Sequence, residues 1–160
     1  MLVYGQDERV LTWISTNLFN NPDHLYGSVS IGIEHDGKLI CGVAYNNFST
    51  KPDNSPLLIE MTIYSVDKRW CNRHNLNALF GYPFIQLGVE RVQALSSLRD
   101  EAVSDFLKRL GFTLEGYHRS AYADGTDALS WGMLKSECKW VPNGKQITIK
   151  NSANAWGVTN

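Results

Sequence analysis

The sequence predicts a single mixed α/β domain built on a central sheet, and three observations support this fold class. The chain has 160 residues, the usual size of one domain. Hydrophobic residues make up 43% of it and charged residues 19%, a balance typical of globular chains and unlike that of disordered ones. The apolar pattern also changes along the chain, in the order helix, strands, helix, strand, helix and hairpin.

The first third of the chain predicts a helix and then a hairpin. Apolar residues recur at helical spacing up to Phe19, and Asp7 is placed to cap this helix. Alternating apolar residues on both sides of Asp36-Gly37 predict a hairpin over 28–48, because Asp-Gly supplies the positive φ angles of a tight turn. The polar segment 49–56 contains two prolines and is predicted to be a loop.

The middle third predicts a strand, a helix and a further strand. The run 57–66 (LLIEMTIYSV) is rich in apolar and β-branched residues, which favours a strand. The following helix is expected to extend from about Leu76 to Gly88, with an irregular last turn because Pro83 lies inside it. Residues 89–95 are predicted to form the next strand.

The last third predicts a helix, a second hairpin and a C-terminal extension. Asp100 is placed to cap the helix, and Gly111 to end it in the left-handed conformation. The second hairpin is expected to join 113–123 to 128–134 around Asp124-Gly125. We divide the chain into a domain of residues 1–140 and an extension of residues 141–160, in which 145–150 is expected to form a short strand and 151–160 a loosely ordered tail.

Composition excludes several classes of function. The formal net charge of -1 shows no basic surplus, which argues against nucleic-acid binding. No apolar run approaches the roughly 18 residues of a membrane span, and the N-terminus does not resemble a secretory signal, so we expect a cytoplasmic protein. The three cysteines (Cys41, Cys71, Cys138) and the four histidines lack metal-ligand spacing, so neither a metal site nor a disulfide framework is expected.

The segment 109–119 (RLGFTLEGYHR) resembles the GCN5-related N-acetyltransferase (GNAT) superfamily, and is most similar to the ribosomal-protein N-terminal acetyltransferase branch. Upstream, 87–92 (LGVERV) is similar to the helix-to-strand junction of that fold. Downstream, 131–134 (WGML) and 137–140 (ECKW) resemble the ending of small acetyltransferase-like proteins of bacteriophages and prophages. The opening MLVYG, the pair Arg69-Trp70 and the segment YPF at 82–84 fit the same group, so that the order and spacing of motifs extend the resemblance to Trp140.

The resemblance implies the GNAT fold, an α+β arrangement whose mixed, mostly antiparallel sheet splays open between its fourth and fifth strands. It also implies acetyl-CoA as the co-substrate, with the pantetheine arm along the fourth strand and the pyrophosphate on the amides that open the next helix. A helix start presents unpaired N–H groups and partial positive charge to an anion. With a short first strand at 1–4, the fourth strand is 57–66.

The implied pyrophosphate loop departs from the family pattern of arginine or glutamine, two residues, glycine, one residue, and glycine or alanine. Arg69 matches, but Asn72 and His74 stand where the glycines would be. Asparagine tolerates a left-handed backbone, whereas a histidine side chain opposes close backbone approach. Arg69 and Arg73 can compensate by charge-assisted contacts, the alternative being a solvated basic helix start. The implied cofactor-binding residues are Val66, Arg69, Trp70, Cys71, Asn72, Arg73, His74 and Asp100, the last in place of the usual asparagine.

The resemblance places a general base on the fourth strand, where Glu60 lies in an otherwise apolar run. The alternative is a salt-bridged or edge-exposed glutamate, and Glu34 is a weaker rival. The family's usual tyrosine acid aligns with Leu107, so we predict that Tyr64 takes its role, against the alternative of a packed strand tyrosine. Three further residues are candidates for lining an acceptor groove: Tyr117, His118 and Tyr122.

Cys71 presents a minor alternative, covalent catalysis. The sequence places it at a helix start beside Arg69 and Arg73, which predicts a lowered thiol pKa. No histidine partner with an acidic or amide residue is evident, and direct transfer needs no covalent intermediate.

Two classes of function remain. The first is a phage-encoded, acetyl-CoA-dependent N-acetyltransferase. Its acceptor is an amine of a protein N-terminus, a lysine or a small molecule, and the resemblance also suggests a homodimer. The second is a non-catalytic protein that uses the same fold to engage a host macromolecule. The departures at Asn72, His74, Asp100 and Leu107 favour the second.

Overall fold

The computed structural model describes residues 1–142, which form a seven-stranded sheet with helices on both faces. The strands are β1 (Leu2–Val3), β2 (Val29–His35), β3 (Lys38–Thr50), β4 (Pro56–Ser65), β5 (Arg91–Ser97), β6 (Thr113–His118) and β7 (Ala128–Leu134). The helices are α1 (Asp7–Phe19), α2 (Arg73–Gly81) and α3 (Glu101–Leu110), with shorter helical turns at Lys68–Trp70, Tyr82–Leu87 and Lys135–Glu137. The predicted fold class is confirmed.

The sheet has the order β1-β2-β3-β4-β5-β7-β6, in which β4 and β5 are parallel and all other neighbours antiparallel. The predicted first hairpin is β2–β3. Its turn has positive φ at Asp36 (50°) and Gly37 (73°), as the Asp-Gly pair predicts. Because β5 runs parallel to β4, the chain crosses over between them, and α2 lies in that crossover.

Side chains of β3 alternate between two apolar cores. Val43 belongs to the larger core, which contains residues of α2 and α3, and Ala44 belongs to the smaller one beneath α1. Gly42 lies where α1 packs closely on β3, since a Cβ there would be 2.9 Å from Cδ1 and Cγ1 of Ile14. A side chain at this position would therefore push α1 away from the sheet.

The start of α1 differs from the prediction that Asp7 caps it. The helix begins at Asp7 itself, and Gln6 occupies the cap position without a side-chain cap hydrogen bond. The Asp7 carboxylate instead accepts hydrogen bonds from the backbone N and the Oγ of buried Ser30, both at 2.8 Å. Asp7 thus joins the helix start to β2, a role that depends on tertiary structure.

The predicted helix over 76–88 is two elements. Asn72 caps α2, which starts at Arg73, earlier than predicted, and a π-helical turn replaces the last part of the predicted helix. Pro83 has no N–H to donate, and its carbonyl accepts from the backbone amides of Gly88 and Val89. The predicted irregular last turn is confirmed.

Other predicted bounds shift by several residues. The loop predicted at 49–56 is shorter, because β3 continues to Thr50 beyond a bulge and β4 starts at Pro56. The strand predicted at 113–123 ends at His118. The strand predicted at 145–150 and most of the extension 141–160 lie outside the described residues. Among residues 1–142, no helix is long and apolar enough to cross a membrane.

Candidate functional site

Strands β4 and β5 separate partway along their length. They pair only at Leu58–Arg91, Ile59–Val92 and Glu60–Gln93 within residues 1–142. Beyond these pairs β4 continues to Ser65 and β5 to Ser97, each without the other as a neighbour. The predicted splay between the fourth and fifth strands is confirmed, and Glu60 lies at its vertex.

The backbone of β4 presents hydrogen-bonding groups to this split. Val66 donates its amide to the carbonyl of Ile40 at 2.9 Å, continuing the antiparallel register with β3. Peptide groups of an antiparallel strand alternate in direction, so those of Met61, Ile63 and Ser65 point away from β3 and toward the split. The amide of Val66 faces β3 instead, while its side chain is exposed.

Glu60 is half-buried and lies in a polar group at the vertex. Asn47 donates from Nδ2 to Glu60 Oε2 at 2.9 Å, and Gln93 is its neighbour on β5. Burial, and after it the charge of Glu60, raises the pKa of Tyr122. Tyr122 therefore lies within the electrostatic field of Glu60, although the two are far apart in sequence.

Tyr64 lies on the same face of β4 as Glu60 and packs against α1. Its ring meets the Trp13 ring edge-on, with 4.9 Å between the centroids. Leu107, which aligns with the family's tyrosine, is only 3% exposed and belongs to the large core. The structure therefore places Tyr64 on the same face of β4 as Glu60, further along the strand, and in an aromatic contact with α1.

The loop after β4 has internal partners for its charges. The Asp67 carboxylate accepts hydrogen bonds from both the Nε and the backbone N–H of Arg69, each at 2.9 Å. These hydrogen bonds lower the pKa of Asp67 to about 2, and the same pairing raises the pKa of Arg69. Trp70 is 3% exposed and its ring meets that of Phe106 on α3, so its side chain belongs to the core and only its backbone remains a candidate for ligand contact.

The start of α2 is capped by the chain itself. Asn72 Oδ1 accepts the amide of Asn75 at 3.0 Å, which is where an anion would otherwise accept. Arg73, predicted to contact the cofactor, has its guanidinium 5.7 Å from the centroid of the Trp140 ring. His74 is exposed beside Asn72, and both line a small cavity of about 260 Å³ that also includes Arg69.

Two further site predictions have clear outcomes. The lowered pKa of Cys71 is wrong: burial raises the pKa of the thiol, and the charge that opposes this rise belongs to Arg109. Asp100 caps α3 by accepting the amide of Val103 at 3.1 Å, as predicted, while its contact with a cofactor stays a prediction. Among residues 1–142, no three metal-ligating side chains are grouped to hold an ion.

Of the candidates on the second hairpin, Tyr122 is linked to Glu60 by the charge that helps to raise its pKa. Tyr117 is hydrogen-bonded to Asp127, and His118 is exposed at the end of β6. Sequence reasoning did not identify Asn47 or Gln93. Asn47 reaches Glu60 because β3 contains an irregularity between Asn46 and Ser49, for which the sequence has no distinct signal.

Comparisons with known proteins support the architecture. No protein-family model matches the chain, and no curated protein matches it by sequence. Among solved structures, it is similar to yncA from Salmonella typhimurium, solved with acetyl-CoA: the TM-score is 0.66 and identity 13%, over 87% of this chain and 95% of that one. It is also similar to a mutant of the spermidine N-acetyltransferase SpeG from Vibrio cholerae, with TM-score 0.61 and 15% identity over 85% and 94% of the two chains.

A third similar structure is a candidate acetyltransferase from T. thermophilus, with 24% identity and a TM-score of 0.56. The match covers 70% of this chain but only 61% of that protein. At such identities the likeness concerns the fold alone. The sheet order, the split between β4 and β5 and these similarities together show that the chain has the fold of the GCN5-related N-acetyltransferases.

Proposed function

We propose that this protein is an acetyl-CoA-dependent N-acetyltransferase that transfers an acetyl group to an amine. The observation that carries the proposal is the split between β4 and β5 with Glu60 at its vertex. A carboxylate there lies beside a strand edge whose peptide groups are directed into the opening. The solved complex of yncA with acetyl-CoA, on a similar fold, supports the same ligand.

The residues of the split fit the middle of acetyl-CoA. Peptide groups of Met61, Ile63 and Ser65 are available to pair with the amides of a pantetheine arm. Backbone N–H groups in this position can also polarise a thioester carbonyl. The ligand supplies an acetyl thioester, and the chain supplies an extended polar edge that holds it.

Glu60 is the proposed general base. The nitrogen of the amine forms a bond to the acetyl carbon, the carbon–sulfur bond breaks, and the proton lost by the nitrogen passes to the Glu60 carboxylate. The leaving thiolate takes up a proton, for which Tyr64 is the predicted donor. The Asn47 amide holds Glu60 at the vertex through its 2.9 Å hydrogen bond.

The pyrophosphate end fits less well. Asn72 Oδ1 occupies the cap of α2, and Arg69 is neutralised by Asp67. These contacts favour a second candidate function, a non-catalytic protein that uses the fold to engage a host macromolecule. They do not block the split itself, and for that reason we favour the enzyme.

Several finer parts of the proposal rest on the resemblance alone. We propose from it that the protein is encoded by a bacteriophage or prophage, that it acts in the cytoplasm of the host, and that it assembles as a homodimer. The chemical kind of the amine, whether a protein N-terminus, a lysine or a small molecule, is addressed in the next subsection.

Titration of the purified protein with acetyl-CoA tests the function directly. We expect binding in calorimetry, and a stabilisation of about 2.7 kcal/mol at ligand near a hundred times the dissociation constant. Formation of free thiol in the presence of an amine would then show transfer. Absence of binding at millimolar acetyl-CoA would contradict the enzyme and favour the second candidate.

Replacing Asn72 by glycine is expected to tighten acetyl-CoA binding about tenfold, because it releases the Asn75 amide for a charge-assisted hydrogen bond of about 1.5 kcal/mol. The cost in stability is small, since a glycine cap is only a few tenths of a kcal/mol worse than asparagine. Calorimetry of both proteins measures the change.

The matched control is Asn72→Asp, which keeps the cap oxygen and adds a negative charge, and which is expected to weaken binding. Acetylated pantetheine has no pyrophosphate, so its affinity should be the same for both variants. Equal acetyl-CoA affinity in the wild type and the two variants would show that the pyrophosphate does not lie at α2.

A further inference from the structure

The geometry points to an acceptor amine with an aromatic or apolar body, a phenethylamine-like compound in class, which is held in a cavity beside Glu60. This inference rests on the proposed acetyltransferase function and identifies its second substrate. It is drawn from the walls of the cavity, from the residue that connects the cavity to Glu60, and from the charges that the cavity lacks.

The cavity has a volume of about 700 Å³, within the usual range for small-molecule sites. It lies between the segment that precedes β2, the end of β3 and the π-helical turn. Its walls combine the polar residues His24, Ser28, Asn46 and Asn47 with an aromatic and aliphatic part, formed by Leu25, Tyr45, Phe48, Ile59, Tyr82 and Leu87.

Two of the tyrosines that line the cavity, Tyr45 and Tyr82, are neutral and held by packing. The rings of Tyr45 and Tyr82 meet edge-on with 4.7 Å between centroids, and the Tyr45 hydroxyl donates to the carbonyl of Leu79 at 2.6 Å. Burial raises the pKa of both hydroxyls, so neither carries a charge at physiological pH. Neither hydroxyl therefore supplies an anionic partner for a cationic chain.

Asn47 connects the cavity to the proposed base. It lines the cavity, and its Nδ2 donates to Glu60 Oε2. Its backbone has a φ of 53°, which a residue other than glycine rarely adopts, and it lies in the irregular part of β3. The strand is thus bent where its side chain can reach Glu60, and the cavity lies one side chain away from the carboxylate.

The lining also lacks the groups that a polyamine requires. Among the described residues that line the cavity there is no aspartate, glutamate, lysine or arginine, and His24 stacks on Phe19 with 3.8 Å between the rings. Spermidine, which the similar protein from Vibrio cholerae acetylates, would leave its second and third cationic groups without carboxylate partners here. One amine at Glu60 and an apolar body in the cavity satisfy both parts of the site.

In the transfer, the nitrogen of the phenethylamine-like acceptor bonds to the acetyl carbon as the thiolate leaves, and Glu60 receives the proton of that nitrogen. The aromatic or apolar part of the acceptor does not react. It holds the nitrogen next to the Glu60 carboxylate, and its contribution is measured as the affinity of the protein for the acceptor.

Binding of phenethylamine and of spermidine to the free protein, followed by NMR titration, tests the inference. We expect phenethylamine to bind at least ten times more tightly than spermidine. The variant Phe48→Ala removes an exposed wall ring and should weaken phenethylamine binding about fivefold, in line with one aromatic contact. The control Leu18→Ala removes a similarly exposed apolar side chain from α1 and should bind as the wild type does.

Turnover with acetyl-CoA separates this inference from the proposed function. Acetylation of spermidine but not of phenethylamine would overturn the inference and leave the acetyltransferase in place. Phenethylamine binding by a protein that does not bind acetyl-CoA would contradict the function while supporting the chemistry of the cavity. Equal binding of phenethylamine by the Phe48→Ala variant and the wild type would remove the cavity as the acceptor site.

Discussion

Replacing Glu60 by glutamine is expected to reduce kcat roughly 100-fold at neutral pH, the usual contribution of a positioned general base. Glutamine keeps an oxygen that can accept the hydrogen bond from Asn47, so the vertex of the split should keep its shape. Only the capacity to take a proton is lost. The dissociation constant of acetyl-CoA should therefore stay within twofold of the wild-type value, and steady-state kinetics with calorimetry measure both quantities.

The control is the same substitution at Glu34, on β2. Glu34 forms an ion pair with Arg9, and it is the weaker candidate for the base. Its variant is expected to keep the wild-type kcat. An unchanged kcat in Glu60→Gln at every pH would exclude Glu60 as the base, and a loss confined to Glu34→Gln would transfer that role to β2.

Replacing Gly42 by alanine is expected to lower the free energy of unfolding by about 1–3 kcal/mol, the usual cost of overpacking a core. The new Cβ would lie 2.9 Å from two atoms of Ile14, which is fully buried, and 3.1 Å from Val10. Neither α1 nor β3 can yield without opening the smaller core. Urea denaturation measures the change, as a lower midpoint with an unchanged m-value.

A double variant shows whether this contact is the cause. Ile14→Val removes Cδ1, one of the two close atoms, and costs about 0.5–1.5 kcal/mol by itself. Combined with Gly42→Ala, it should destabilise the protein by less than the sum of the two single changes. Strict additivity would place the cost of Gly42→Ala elsewhere.

Local signals in the sequence are enough to predict much of the fold. The Asp36-Gly37 turn, the cap at Asp100 and the glycine end of α3 each depend on residues close in sequence, and all three are confirmed. The irregular turn at Pro83 follows from its missing N–H, a property of one residue.

Features that depend on distant residues could not be predicted in the same way. Asp7 bonds to Ser30 instead of its own helix, and Trp70 packs on Phe106, because tertiary contacts compete with local ones. In the site, the sequence predicts Glu60 as the base candidate. Asn47, which donates to Glu60, comes from a bent strand, and Tyr122, whose pKa the Glu60 charge helps to raise, comes from a loop. The apolar periodicity of the sequence predicts neither the bend in the strand nor the path of the loop.

The short pairing of β4 with β5 has a mechanical and kinetic consequence. The sheet consists of two plates, β1 to β4 and β5 to β7, each contiguous in the chain and each held by antiparallel ladders. The seam between them comprises the pairs from Leu58–Arg91 to Glu60–Gln93. We expect each plate to form its own ladders first and the seam to close last, because local pairings cost less loop entropy. A ligand bonded along the open edge of β4 would then brace the joint between the two plates.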